Sequence, residues 1–164
     1  MLRIAILTVS DKSSAGQRAD ASGPAIAERL EAARHKAVWY GIVPDEYDQI
    51  VAKLTALCDS LQVDAVLTTG GTGLAPRDVT PEATLHVAER QVPGISEAIR
   101  SQSAAKAKNA MLSRGVSVTR GSTLIINFPG SPKAVRECMD IVLPVLEHAC
   151  AVLKGGVSEC AASS

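Results

Sequence analysis

The chain has 164 residues, of which 46% are apolar and 21% are charged, a balance typical of one globular domain. Its 17 basic and 17 acidic residues cancel, so it lacks the basic excess that drives binding to nucleic-acid phosphates. The aromatic residues are too few for a base-stacking platform; they are Trp39, Tyr40, Tyr47 and Phe128. We therefore expect an aliphatic core and no nucleic-acid partner.

The cysteines and the apolar runs indicate a reduced, soluble protein. No C-x-x-C pair occurs among Cys58, Cys138, Cys150 and Cys160, which favours free thiols over a zinc site or a disulfide framework. The first residues, "MLRIAILTVSDK", predict a strand rather than a signal peptide. No apolar run approaches the roughly 18 residues of a membrane span. We predict a cytoplasmic protein with no membrane partner.

Short apolar runs alternate with amphipathic stretches along the chain. The runs predict strands at 3–10, 36–43 and 63–69, and a strand pair within 116–128 that turns at Gly121. Helices are predicted between them: after Pro24 to about His35, from 46 to 61, from Thr80 with Thr80 as N-cap and Pro81 as first residue, and from about Gly94. A last helix follows 129–131 and should kink at Pro144.

This alternation predicts an α/β fold of three layers, with a mostly parallel sheet covered by helices on both faces. Residues 1–154 are assigned to one domain, and residues 155–164 to a disordered tail because they are poor in large apolar side chains. Ligands of such sheets bind at the carboxyl ends of the strands. Polar loops follow the first, second, third and last strands, so we expect these four loops to meet at one edge.

The loop after the third strand reads "GGTG" at 70–73. Glycine allows a ligand to approach the backbone closely, and successive N–H groups can form a nest for an anion. A plain tight turn between strand and helix is the alternative. The loop matches neither G-x-x-x-x-G-K-[ST] nor G-x-G-x-x-G, which disfavours the two nucleotide-binding classes with those patterns.

Charged residues follow in "PRDVTPEAT" and in "VPDE". Arg77 could clamp a phosphate or a carboxylate, and Asp78 could hold Mg²⁺ together with substrate phosphates. Asp45 could be a second carboxylate facing Asp78. Each residue also has a structural alternative. Arg77 could be solvated, Asp78 could belong to a turn that begins a helix, and Asp45 could be the N-cap of the next helix.

The last strand ends in "NFPGSPKAV". A helix that begins there offers free N–H groups to an anion, although ordinary capping by Ser131 explains the pattern equally well. His35, His86 and His148 are far apart in the sequence, and each is interpreted as a surface or packed histidine rather than a catalytic base.

These segments resemble the molybdopterin adenylyltransferases of molybdenum-cofactor biosynthesis. The similarity is carried by "TTGGTGLAPRDVTPEAT" and "STLIINFPGSPKAVRECM", and by "AILTVSDKSSAG", "DASGP" and "VPDE" in the same order and spacing. It runs from about Arg3 to Leu153. A sister group shares the fold and the GGTG loop but differs where this chain has "RDVTPEA".

The resemblance implies a molybdopterin-binding-like fold, a homotrimer, and transfer of AMP from Mg·ATP to the phosphate of molybdopterin. It also implies a molybdenum-insertion partner protein. Catalytic and metal-binding roles fall on Asp45 and Asp78. Substrate contacts fall on Ser10, Asp11, Thr69, Gly70, Gly71, Thr72, Gly73, Pro76, Arg77, Thr80, Asn127, Pro129, Gly130, Ser131 and Pro132.

Two other functions stay open at this point. A non-catalytic carrier or scaffold module would hold molybdopterin without transfer, but such a module would gain from losing the acids beside the phosphates. A generic flavodoxin-like nucleotide binder is the third interpretation, and the lack of either familiar phosphate-loop pattern weakens it.

Overall fold

Six strands form one sheet in the computed structural model, which describes residues 1–156. The strands are β1 (Arg3–Val9), β2 (Lys36–Val43), β3 (Ala65–Thr69), β4 (Arg90–Gln91), β5 (Ser117–Arg120) and β6 (Thr123–Phe128). They lie in the order β2-β1-β3-β6-β5-β4. Strands β2, β1, β3 and β6 are parallel, whereas β5 and β4 run antiparallel to their neighbours. The predicted mostly parallel sheet is confirmed.

Helices cover both faces of the sheet. They are α1 (Asp11–Ser14), α2 (Ser22–Ala32), α3 (Tyr47–Thr55), α4 (Thr80–Val87), α5 (Pro93–Ala104) and α6 (Pro132–Leu153). A π-helical turn at Ala56–Ser60 extends α3, and a 3₁₀ helix at Lys108–Leu112 follows α5. Residues 157–164 of the predicted tail lie outside the described residues.

The continuous apolar run of β1 is explained by burial on both of its faces. Ile4 and Ile6 belong to one core, which contains residues of α2, α5 and α6. Ala5 and Leu7 point the other way, into a second core with residues of α3 and α4. All four side chains are fully buried. A central strand that contributes to two cores cannot show the apolar–polar alternation of a half-exposed strand.

Several predicted boundaries are wrong. Helix α4 begins at Thr80 itself, with Val79 as the preceding cap residue. Helix α6 continues through Pro144, and the buried residues on either side, such as Val142 and Leu146, hold the segment despite the lost N–H donor; the kink expected there stays a prediction. The predicted helix from Gly94 ends at Ala104 and resumes only as the 3₁₀ helix.

The predicted hairpin of β5 and β6 is confirmed, including its turn at Gly121, where φ is +52°. The two-residue strand β4 is an addition that the sequence does not predict. Its sequence, Arg90-Gln91, is polar and exposed, and it becomes a strand only by pairing with Val118 and Thr119 of β5.

Candidate functional site

Four strand-end loops line one cavity at the carboxyl edge of the sheet, the edge at which β1, β2, β3 and β6 end. The cavity has a volume of about 210 Å³. Ser10 follows β1, Asp45 follows β2, Gly70 follows β3 and Gly130 follows β6, and all four contribute to its wall. The predicted convergence of these loops is confirmed.

A second cavity of about 370 Å³ adjoins the first. Its wall includes Thr72 and Gly73 and the segment that contains the 3₁₀ helix. Both cavities are lined by Gly71, Asp78 and Gly130. The two spaces therefore meet at the glycine loop (residues 70–73) and at Asp78, so that two ligands could be held on either side of one point.

The glycine loop is anchored through its carbonyl groups. Thr80 donates from Oγ1 to the carbonyl oxygen of Gly70 at 3.0 Å, and from its backbone N–H to that of Gly71 at 3.1 Å. Both glycines adopt positive φ, +97° at Gly70 and +63° at Gly71. This is backbone geometry that glycine adopts without strain.

The next two carbonyls of the loop are also bound. Arg114 donates its backbone N–H to the oxygen of Thr72 at 2.9 Å and its Nε–H to that of Gly73 at 2.7 Å. Within residues 1–156, the N–H groups of Gly71, Thr72 and Gly73 donate no hydrogen bond. Successive N–H groups without a partner in a positive-φ turn form an anion-binding nest.

Asp45 lies against this loop. A Cβ added to Gly71 would lie 3.0 Å from its Oδ1, while its Oδ2 accepts the backbone N–H of Asp11 at 2.8 Å. Burial raises the pKa of Asp45, and the negative charges of Asp11 and Asp78 raise it further, against the effect of the Asp11 hydrogen bond and of Arg77. The alternative role of Asp45 as N-cap of α3 is wrong, because that position belongs to Glu46.

Asp78 also lies against the glycine loop, next to Gly73. A Cβ on Gly73 would lie 2.8 Å from its Oδ2, which also accepts the N–H of Ala75 at 3.0 Å. In residues 1–156 no group of three or more His, Cys, Asp or Glu side chains is arranged to hold a metal ion. Two carboxylates on one cavity fit Mg²⁺, which binds one or two carboxylates and takes its other ligands from phosphates and water.

Arg77 is engaged by acids rather than free in the cavity. Its guanidinium donates to both carboxylate oxygens of Asp11, at 2.6 and 3.0 Å, and to Glu46 at 2.7 Å. The hydrogen bonds from Arg77 hold the pKa of Asp11 below its usual range. The Arg77 side chain is 56% exposed. To bind a phosphate, it would have to exchange these partners.

Three other predicted substrate residues have their polar groups committed within the protein. Thr69 donates to the carbonyl of Pro129 at 2.7 Å. Asn127 accepts from the N–H of Val116 and donates to the hydroxyls of Thr68 and Thr84. The third, Thr80, is fully buried and holds the glycine loop as described above.

The remaining predicted residues lie around the cavities. Ser131 accepts the N–H of Ala134 at 3.1 Å and so caps α6, as expected. Pro129 lines the second cavity, and Pro132 lines a smaller adjoining hollow. Pro76 is exposed on the loop that precedes Arg77.

Asp20 also lines the first cavity, and it is not among the predicted site residues. It accepts hydrogen bonds from Thr8 Oγ1 at 2.6 Å, from Tyr40 OH at 2.7 Å, and from the N–H groups of Ser22 and Gly23 at 2.9 and 3.1 Å. Burial and the Asp20 charge raise the pKa of Tyr40 to about 12. The motif "DASGP", in which an acid stands just before a helix, is the sequence pattern from which Asp20 could have been found.

Arg114 is a second residue that the sequence analysis missed, and no local sequence pattern marks it.

The expected free thiols are confirmed for Cys58, Cys138 and Cys150, which are buried and unpaired. Burial raises the pKa of each thiol to about 11. No helix among residues 1–156 is long and apolar enough to cross a membrane.

Comparison with known proteins gives consistent results. Residues 5–148 match a family model described as "Probable molybdopterin binding domain". A molybdopterin adenylyltransferase of Helicobacter pylori is 42% identical over 156 residues, which cover 94% of this chain and 89% of that protein. The enzyme of the same name from Escherichia coli K12 is 43% identical over 141 residues, covering 85% and 72%.

The fold comparison agrees. The crystal structure of a molybdopterin biosynthesis enzyme, MoaB from Thermus thermophilus, superposes with a TM-score of 0.90 at 48% identity. The match covers 94% of this chain and 98% of that one. The family match at residues 5–148 includes all four strand-end loops of the site.

Proposed function

Since the chain belongs to the family described as probable molybdopterin binding domains, we propose that it is a molybdopterin adenylyltransferase. It transfers AMP from Mg·ATP to the phosphate of molybdopterin and releases pyrophosphate. The relatives with that name support this assignment, because their similarity extends over most of the chain.

One observation carries the proposal: two adjoining cavities share Gly71, Asp78 and Gly130. A carrier that holds one ligand needs one cavity, whereas group transfer needs two ligands with their reacting atoms side by side. We assign one cavity to the nucleotide and the other to the pterin phosphate. The glycine loop lies between them, so its free N–H groups can face the phosphates of both.

The chemistry requires little from the side chains. An oxygen of the molybdopterin phosphate forms a bond to the α-phosphorus of ATP as the bond from that phosphorus to the pyrophosphate oxygen breaks. The nucleophile is already an anion, so no general base is needed. The site contributes position and charge stabilisation, with the nest N–H groups donating to phosphate oxygens.

Asp45 and Asp78 are the residues that would hold Mg²⁺, which would neutralise phosphate charge when bound. Their place on the wall of one cavity, beside the glycine loop, supports this role. We further propose from the family resemblance that the protein is cytoplasmic, works as a homotrimer, and delivers its product to a molybdenum-insertion partner. Sedimentation of a monomer at micromolar concentration would overturn the trimer.

The test is pyrophosphate release from ATP by the purified protein, with molybdopterin and Mg²⁺ present or omitted one at a time. We expect release only when both are present. Tight molybdopterin binding without release would instead support the carrier function and leave both aspartates as structural groups.

A further inference from the structure

We propose that Arg114 is a positioning residue for this reaction: it ties the glycine loop to the Asp78 loop and so sets the geometry of the point where the cavities meet. This inference rests on the proposed function for its kinetic consequences. Its structural part stands on contacts that do not depend on the reaction.

Arg114 reaches three separate parts of the site. Its backbone N–H binds the Thr72 carbonyl, whereas its guanidinium donates to the carbonyl oxygens of Gly73 and Asp78 and forms an ion pair with Glu82 in the first turn of α4. A planar guanidinium with a fixed fork of donors can hold several acceptors in one arrangement, whereas a lysine presents a single point charge.

These bonds determine which groups the loop offers to a ligand. With the oxygens of Thr72 and Gly73 turned toward Arg114, the N–H of Gly73 between them is left without a partner inside residues 1–156. The bond to the Asp78 carbonyl fixes the backbone that carries the Asp78 carboxylate. The Arg114 side chain therefore acts on the nest through the Gly73 carbonyl and on one proposed metal-binding acid through the Asp78 carbonyl.

Arg114 itself contributes to the wall of neither shared cavity. Its side chain is 34% exposed, on the far side of the loop carbonyls. It thus acts through the loop and is not assigned a contact with substrate. Loss of Arg114 should disturb the reacting geometry more than it weakens the overall attraction for either substrate.

Arg120 provides a matched control. It also pairs with a carboxylate, that of Asp59, and also donates to a backbone carbonyl, that of Val87. Its side chain is 27% exposed, close to the value for Arg114. It lies at the start of the β5–β6 turn, at the opposite end of the parallel strands from the site.

The experiment compares Arg114→Ala with Arg120→Ala in steady-state kinetics and in thermal unfolding. We expect similar losses of thermal stability. For Arg114→Ala, kcat should fall by about a hundredfold, the cost of small misplacement of reacting groups, with a much smaller change in KM. Arg120→Ala should keep the wild-type kcat. Millimolar guanidinium should restore part of the activity of Arg114→Ala, and Arg114→Lys should stay impaired.

Hydrogen–deuterium exchange supplies a readout that does not require activity. The hydrogen-bonded amides of Gly70, Ala75 and Asp78 should exchange faster in Arg114→Ala than in wild type, and Arg120→Ala should leave them unchanged. Equal kcat in the two alanine variants, or unchanged exchange at these three amides, would overturn the positioning role. If the wild type releases no pyrophosphate, the proposed function fails, and exchange still decides the role of Arg114. If Arg114→Ala does not fold, Glu82→Gln is the milder variant, because it removes only the ion pair that holds the Arg114 guanidinium.

Discussion

The two ends of the parallel strands use similar residues to different effect. At the amino end, Asp64 accepts the N–H of Arg3 at 2.7 Å and pairs with Lys154, and Thr123 donates to the carbonyl of Val63 at 2.6 Å. At the carboxyl end, arginine and threonine bind the loop carbonyls but leave a run of N–H groups and two carboxylates facing cavities.

The difference shows where binding capacity lies in this fold. A backbone group that is already paired inside the protein gains little from a ligand, whereas an unpaired N–H group gains a full hydrogen bond. Charged residues alone do not separate the two ends, because both carry paired aspartates. The site is the end at which the chain satisfies its carbonyls and leaves its donors free.

Removal of Asp78 should have the largest effect. Asp78→Ala should lower adenylyl transfer by roughly a thousandfold, since it deletes a proposed Mg²⁺ ligand at the point of phosphate charge, and molybdopterin binding should persist. Asp59→Asn, which alters an acid at the amino end, should leave transfer unchanged. Pyrophosphate release measures the activity of both variants. Normal turnover of Asp78→Ala would contradict the proposal that Asp78 binds Mg²⁺.

Gly71→Ala should have the next largest effect. A Cβ there meets Thr80 Oγ1 and Asp45 Oδ1, so the loop must shift; we expect a loss of about 3 kcal/mol, or roughly a hundredfold, in affinity for pyrophosphate and molybdopterin. Gly121→Ala is the control, because Gly121 also has positive φ but no atom lies within 4 Å of its added Cβ.

Both alanine variants carry a comparable backbone strain of about 1–2 kcal/mol. Denaturant unfolding should therefore show a loss in both variants, larger for Gly71→Ala because its Cβ also displaces Thr80 Oγ1, while titration calorimetry should show lost affinity only for Gly71→Ala. Equal affinities in the two variants would contradict the nest.

Asn127→Ala should reduce stability rather than affect the chemistry directly. It leaves the part-buried N–H of Val116 and the buried hydroxyls of Thr68 and Thr84 without their partner. We expect a loss of about 2–3 kcal/mol in the free energy of unfolding. Urea unfolding measures this loss. Unchanged stability together with a raised KM would instead support the prediction that Asn127 contacts the substrate.

The smallest effect concerns acid stability at the amino end. Burial acts to raise the pKa of Asp64, but the bonds from Lys154 and the Arg3 N–H outweigh it and hold that pKa below its usual range. The ionised group therefore adds stability above its unfolded pKa, about 3.9, and this contribution is lost as the pH falls through the folded pKa.

Asp64→Asn removes that dependence. The difference in unfolding free energy between wild type and Asp64→Asn should be constant near neutral pH and should shrink below about pH 4. Urea unfolding over a pH series measures it. A difference that grows on acidification would contradict the assigned direction.

The sequence was sufficient where the physics is local. Continuous apolar runs predict buried parallel strands, and the loops that follow them must share an edge, so the meeting of Asp45 with the glycine loop could be foreseen. Asp20 could also have been found, because an acid just before a small-residue helix start is a common capping pattern.

Other features depended on tertiary contacts that no local pattern encodes. Thr80 has the sequence of an N-cap, yet its hydroxyl binds the Gly70 carbonyl, a partner supplied by the neighbouring loop. Arg114 precedes a strand by three residues, and nothing near it in the sequence announces contacts with residues 73, 78 and 82.

The loops after β1 and β2 exchange bonds in both directions: the N–H of Asp11 binds the Asp45 carboxylate, and the N–H of Asp45 binds that of Asp11. Each carboxylate thus completes the backbone of the other loop. Replacing one acid removes the acceptor of the other loop's N–H but keeps the second bond, because the backbone N–H of the replaced residue still donates. The two loops are therefore tethered twice, and a single substitution leaves one tether in place.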